Sequence, residues 1–208
     1  AFTSVLAWAP ATVTHAQPFT FVDAFCGNAS VSRSFSRHGH CPVASFDSSR
    51  ECRDEYNTTF PGVYCGSDLS SAVLDPDFVM ASRGVDVVFA TPPCRSYSSA
   101  GRQQFDSVPD GRLLYECVPK LPDACKPKML VVEGSPEVPG ADGGRILDHM
   151  IQMALQAGYT PSWTEMTPQD YGGCQHRPRF VFTATRQDLN HSEFVLPEPT
   201  TPQRTDSV

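Results

Sequence analysis

No two cysteines stand in a CxxC pair, no apolar run comes near the ~20 residues of a membrane span, and basic residues are outnumbered. Each shortage removes a class of function. The eight cysteines, at 26, 41, 52, 65, 94, 117, 125 and 174, lack zinc-site spacing, and 208 residues are too many for a disulfide scaffold. The expectation is an intracellular, reduced protein that holds no metal. Without an apolar span a membrane is not an expected partner. Residues 1–16 carry Val5-Leu6-Ala7-Trp8-Ala9 but no basic residue ahead of it, so no signal peptide is read there. Three Asn-x-Ser/Thr sites, at Asn28, Asn57 and Asn190, would matter only in a secreted chain and are read as chance. The 16 Lys and Arg stand against 23 Asp and Glu, a net charge of −7, so the basic footprint of a nucleic-acid binder is missing. The first residue is Ala1 rather than Met, and a fragment or processed product is expected.

What is present suits one soluble domain: 40% hydrophobic and 19% charged residues, with enough chain for a sizeable core. Phe19 to Phe25 alternates and runs into Cys26-Gly27-Asn28-Ala29-Ser30, which reads as a strand, a small-residue turn and a helix over about 30–38. Such a turn can present backbone N–H groups and a helix N-terminus to a ligand. Cys41 to Phe46 reads as a second strand with Asp47 at its tip. An acidic residue 20 positions beyond the glycine (47 − 27) can accept from a ribose hydroxyl pair, or it can simply cap the next helix. Val63-Tyr64-Cys65 is a brief third strand, followed by Asp68-Leu69, where Asp68 is a candidate helix cap.

The focal stretch comes next. Val85 to Phe89 is a β-branched apolar run, and Pro92-Pro93 then forbids both continued pairing and an immediate helix. Cys94 therefore falls on a loop at the carboxyl edge of a sheet, where open α/β folds place their ligands. Residues 95–110 are rich in Ser, Gly and Gln; a loop of that length is functional or disordered. A helix opens near Asp110. Pro127 to Glu133 is a buried fifth strand ending in a carboxylate that could share a proton with a ring nitrogen or merely face water. A helix over 143–157 and a strand from Tyr159 follow. Gln175-His176-Arg177-Pro178-Arg179 then precedes Phe180-Val181-Phe182. On an extended segment arginines at i and i+2 point the same way, although an edge Arg-x-Arg is commonly solvated.

Taken together and in order, these blocks resemble the cytosine-5 DNA methyltransferases over about residues 19–205. Pro92-Pro93-Cys94 with Ser96, Ser98 and Ala100-Gly101 is similar to that family's catalytic loop, and Asp23-Ala24-Phe25-Cys26-Gly27 to its first cofactor block. The family's second turn glycine is Ala29 here. Its Glu-Asn-Val is Glu133-Gly134-Ser135, which keeps the carboxylate and loses the amide. The resemblance implies a single Rossmann-like α/β domain over 19–190, with a mostly parallel sheet and helices on both faces. Residues 1–18 would be an N-terminal extension, and the proline-rich 191–208 a lead-in to a target-recognition domain absent from the chain. It implies S-adenosylmethionine as cofactor, held by Phe25, Cys26, Gly27, Asn28, Asp47, Asp68, Leu69 and Pro92. Asp68 would accept from the adenine amino group while Leu69 packs on the ring. Cys94 would attack C6 of a cytosine flipped out of DNA, Glu133 would bond N3, and Arg177 and Arg179 would hold O2 and its surroundings. Arg95, Ser96, Ser98 and Gln175 would contact the substrate, and loop 95–110 would be a flap. No segment matches the family's last two blocks. A monomer is expected, nuclear in a eukaryote and cytoplasmic in a bacterium or virus. The same blocks fit an RNA cytosine methyltransferase of like architecture, and Ala29 with Gly134-Ser135 fits a non-catalytic cofactor-binding relative.

Overall fold

Alternate residues of the first strand face different layers, and that split sets the plan of the molecule. The structure, a computed structural model, describes residues 17–93, 109–189 and 197–200. In β1 (Thr20–Ala24), Val22 and Ala24 join the main apolar core, whereas Phe21 packs on Phe35 and Asp23 bonds to Ser32. The period-two pleat thus gives the sheet one face for α1 (Ser30–Arg37) and α2 (Arg50–Thr59). The other face takes α4 (Pro76–Ser82), α5 (Pro109–Cys125) and α6 (Arg145–Gln156), whose Phe78, Leu114, Leu121 and Met150 are fully buried. A single turn, α3 (Leu69–Ala72), precedes α4. These two short helices fill most of the chain between β3 and β4.

Seven strands form one sheet in the order β3-β2-β1-β4-β5-β7-β6. Here β2 is Cys41–Phe46, β3 Tyr64–Gly66, β4 Val87–Ala90, β5 Met129–Gly134, β6 Tyr159–Met166 and β7 Arg179–Arg186. Pairings among β1 to β5 are parallel, and those of β7 with β5 and β6 are antiparallel. The expected Rossmann-like fold is the one observed, mostly parallel with helices on both faces. The antiparallel arm has a local cause: the connection 167–178 holds no crossover helix, and without one β7 must run back against its neighbour. The third strand sits one residue later than expected, and the fourth starts at Val87 rather than Val85.

Candidate active site at the strand ends

Register aligns Ala24, Phe46, Gly66, Ala90 and Val132 in a row across the five parallel strands. The residues that follow, Phe25, Asp47, Ser67-Asp68, Thr91 and Glu133, therefore emerge along one edge. Strand order reverses between β1 and β4, and such a switch point is where open α/β sheets bind ligands. A cavity of about 390 Å³ lies there, within the ~300–1,000 Å³ range of small-molecule sites. Phe25, Phe46, Leu69 and Leu113 give it apolar walls, and Asp47, Ser48, Asp68, Thr91 and Pro93 complete them.

The turn after β1 is built from left-handed residues. Phe25 (φ 63°), Gly27 (φ 49°) and Ala29 (φ 61°) reverse the chain within five positions. Asp47 ties that turn to β2: one carboxylate oxygen accepts from the Gly27 N–H at 2.9 Å, the other from the Ser49 N–H at 2.8 Å. Asp47 does not cap α2; Ser49 does, accepting from the Cys52 N–H at 3.2 Å. Asp68 is a cap as well as a cavity wall. It heads α3, with Oδ1 accepting from the Ser71 N–H at 2.9 Å and Oδ2 from the Ser71 hydroxyl at 2.7 Å. The Ser71 N–H, followed by the Ser71 and Ser67 hydroxyls, holds this carboxyl below the usual carboxylate range.

Four of the expected cofactor residues point elsewhere or only frame the site. Cys26 turns its thiol inward, against Ala29 and Tyr56, because its own N–H is held by the Phe46 carbonyl at 3.1 Å. Gly27 contributes its backbone to Asp47 rather than a cavity wall. Asn28 is exposed, and its side-chain Oδ1 accepts from the Ser30 hydroxyl. Pro92 is buried, while Thr91 and Pro93 face the cavity, because alternate residues of extended chain point to opposite sides. Ala29 is fully buried and its methyl lies in the cluster with Cys26, so it does not crowd the cavity. Phe46, Ser48, Thr91 and Pro93 could have been found by carrying the strand-end argument one residue either way. Leu113 could not, since only the packing of α5 brings it in.

At the other end of the edge, Glu133 on β5 and Arg179 on β7 form an ion pair. Glu133 is opposite Val181, so Arg179 is its diagonal neighbour on the same face. Their side chains are 29% and 19% exposed, which shields the pair from water without sealing it. Strand β7 starts only at Arg179. Arg177 lies in irregular chain before it and is exposed, as is Gln175, so strand alternation does not align the two arginines as expected. After Glu133, Gly134 packs closely: a Cβ there would meet Val138, Phe180 and Leu114 at 3.4, 3.6 and 3.9 Å. That slot is apolar, and Ser135, 3% exposed, turns its hydroxyl to the Glu137 carboxylate. Cys94, Arg95, Ser96 and Ser98 lie outside the described residues, as does most of loop 95–110. Among the described residues, no three His, Cys, Asp or Glu side chains are grouped so as to hold a metal ion.

Comparison with known proteins agrees with this fold. The chain is 28% identical over 169 residues to the type II methyltransferase M.AgeI of Thalassovita gelatinovora, covering 78% of this chain and 39% of that protein. It is 26% identical over 186 residues to the type II methyltransferase M.MspI of a Moraxella species, covering 88% and 42%. The chain thus spans less than half the length of these relatives. Among solved structures, the Entamoeba histolytica methyltransferase EhMeth superposes with a TM-score of 0.67 at 15% identity, covering 89% of this chain and 58% of that one. The S. pombe Dnmt2 methyltransferase gives 0.62 at 13%, covering 86% and 52%. At such identities these structures speak for the fold alone. Residues 19–208 match the family described as C-5 cytosine-specific DNA methylase, and the chain belongs to that family.

Proposed function

We propose that the protein transfers a methyl group from S-adenosylmethionine to C5 of cytosine in DNA, as a DNA (cytosine-5) methyltransferase. The observation that carries this reading is the Glu133–Arg179 pair, on the same sheet edge as a cavity lined by two carboxylates. The cavity's chemistry suits S-adenosylmethionine: Phe25, Phe46 and Leu69 offer apolar surface to a purine, Asp47 acceptors to ribose hydroxyls, and Asp68 an acceptor to an exocyclic amine. When bound, that cofactor supplies an activated methyl group. The chain's own residues do the rest. C5 of cytosine is too electron-poor to be methylated directly, and the base must leave the duplex to be reached. The Cys94 thiolate adds to C6 while Glu133 hydrogen-bonds N3 and Arg179 holds O2, so the displaced electron pair gathers at C5. After methylation, loss of the C5 proton re-forms the double bond and expels Cys94.

Residues 19–190 are proposed as the catalytic domain, and 191–208 as a lead-in to target recognition. Supporting this, the Tyr171 hydroxyl donates to the Pro197 carbonyl at 2.9 Å, so Pro197 lies beside the loop that carries Gln175 and Arg177. Trapping on an oligonucleotide that carries 5-fluorocytosine tests the chemistry, because fluorine at C5 cannot leave as a proton does. The full-length protein should leave a covalent adduct and Cys94→Ser none. Methyl transfer retained by Cys94→Ser would remove the covalent mechanism.

A further inference from the structure

The loop from β2 to α2 supplies two walls of the cavity, Asp47 and Ser48, and its main chain is pinned on several sides. The Asp47 N–H donates to the Gly66 carbonyl at 3.1 Å, and the Ser49 carbonyl accepts from the Arg53 N–H at 3.1 Å. The carbonyls of Asp47 and Ser48 precede the helix cap and so have no place in the helical ladder. Arg53 takes both of them. Its Nη1 donates to the Asp47 carbonyl at 2.8 Å and to the Ser48 carbonyl at 2.9 Å. Arg53 stands near the N-terminus of α2, the end where a helix dipole disfavours a cation, so the carbonyls rather than the helix reward the charge there. It is partly buried and lines no part of the cavity itself.

One peptide plane links this arginine to the Asp47 carboxylate. The Ser48 carbonyl and the Ser49 N–H belong to the same rigid unit and point in opposite directions. Holding that carbonyl therefore aims the Ser49 N–H, which donates to Asp47 Oδ1 at 2.8 Å. Oδ2 accepts from the Gly27 N–H, and each oxygen keeps a further lone pair. Because Nη1 goes to the main chain, those lone pairs stay open to a ligand.

We propose, building on the cofactor reading above, that Arg53 is a positioning residue for the ribose: acting through the Ser48–Ser49 peptide, it aims the Asp47 carboxylate at the ribose hydroxyls without touching the cofactor. Without the guanidinium, two carbonyls at the cavity rim lose their donor, the peptide is free to turn, and Asp47 loses its direction. The apolar walls Phe46, on β2, and Leu69, on α3, do not depend on Arg53. The loss should therefore fall on hydroxyl recognition and spare the rest of the pocket.

The test measures, on the 208-residue chain, calorimetric affinity for S-adenosylhomocysteine and for its 2′-deoxyribose analogue. The wild type should prefer the ribose form by about tenfold, the weight of one hydrogen bond to a charged group. Arg53→Met keeps an apolar stem and removes the donors; it should bind the ribose form about tenfold more weakly and prefer neither ligand. Arg53→Lys should restore the preference, because a single nitrogen serves both carbonyls and an ammonium has three donors. Amide exchange at Ser49, read by NMR without ligand, should quicken in Arg53→Met and not in Arg53→Lys. A brace that served stability alone would weaken both ligands equally, so a preference preserved in Arg53→Met overturns the assignment. Unchanged exchange at Ser49, or a Lys variant as indifferent as the Met variant, overturns it too. If the wild type binds neither ligand, or does not tell them apart, the ribose reading of Asp47 fails, while exchange at Ser49 still decides whether Arg53 holds that carboxylate.

Discussion

The two ends of the functional edge are built on different principles. Along β1, β2 and β3 the polar groups that face the cavity also hold the protein together. Asp47 ties the first turn to β2, and Asp68 caps α3. Where β5 and β7 meet the same edge, the polar feature is an ion pair between two strands, Glu133 with Arg179. A self-braced site keeps its shape when empty and offers a ligand the acceptor capacity left over, since a carboxylate takes about four hydrogen bonds. On the proposed mechanism an ion pair must give way: each partner would exchange part of its bond for one to the base, and the charges shield one another until then. On the proposed reading, the end that would take the cofactor is set by folding, and the end that would take the base waits for its substrate.

The largest effect should come from the pair. Glu133→Gln keeps the shape, loses the charge and the shareable proton, and leaves Arg179 facing an amide. Methyl transfer should drop by about 10²–10⁴-fold, the usual weight of a positioned proton-handling group. Affinity for S-adenosylhomocysteine should not change. Single-turnover transfer and calorimetry on the same preparation check both halves. A parallel loss of cofactor affinity would break the contrast, because the two ends would then be one unit.

The next largest concerns what lies under the cofactor end. Asp23 is fully buried; one of its oxygens accepts from the Ser32 hydroxyl at 2.6 Å and the Ser32 N–H at 3.1 Å, and the other has no protein partner. Burial pushes its carboxyl up from 3.8 to about 6, against the pull of Ser32. The sign is that of a raised acid: its stabilising contribution is complete below the unfolded value of 3.8 and is lost as pH rises through about 6. Urea unfolding of the wild type and Asp23→Asn isolates it. The wild type should lose about 3 kcal/mol relative to the variant between about pH 4 and pH 7. A constant difference across that range would mean that Asp23 is charged throughout.

Asp68 separates bracing from binding at smaller cost. Serine is as good an N-cap as aspartate, so Asp68→Ser should keep stability, whereas Asp68→Ala should lose about 1 kcal/mol. Both should bind S-adenosylhomocysteine more weakly if the carboxylate takes a hydrogen bond from the adenine amine. Thermal unfolding paired with calorimetry reads the two effects separately. Full affinity in Asp68→Ser would leave Asp68 a cap and no more.

The same contrast governs what the sequence discloses. At the cofactor end each feature has a local signal: a small-residue turn after an alternating strand, an acid at a strand tip, prolines that stop a strand. Phe25, Asp47, Asp68 and Leu69 were legible for that reason, and the cavity brings them together. What was not legible depends on packing. Nothing near Leu113 shows that α5 lies against the cavity, and nothing near Cys26 shows that its thiol turns inward. At the base end Glu133 and Arg179 were each visible, but their pairing needs β7 to run back between β5 and β6, which no local pattern encodes. Arg177 shows the limit of periodicity, since alternation applies only where a strand has begun.

The smallest effect tests how far self-bracing reaches into the turn. Ala29 holds φ 61°, where an L-residue costs about 1–2 kcal/mol and glycine nothing. That argues for a gain in Ala29→Gly. Against it stand the loss of a fully buried methyl, worth about 0.8 kcal/mol, and the greater freedom of glycine in the unfolded chain, worth about 0.4–1 kcal/mol. The opposing terms nearly cancel, so the variant should lie within about 1 kcal/mol of the wild type by urea unfolding. Affinity for S-adenosylhomocysteine should be unchanged, because the methyl points into the Cys26–Tyr56 cluster and not into the cavity. Tighter binding by the glycine variant would show that the Ala29 methyl holds the turn away from its bound position, and that the cofactor end, like the base end, still has to adjust when its ligand arrives.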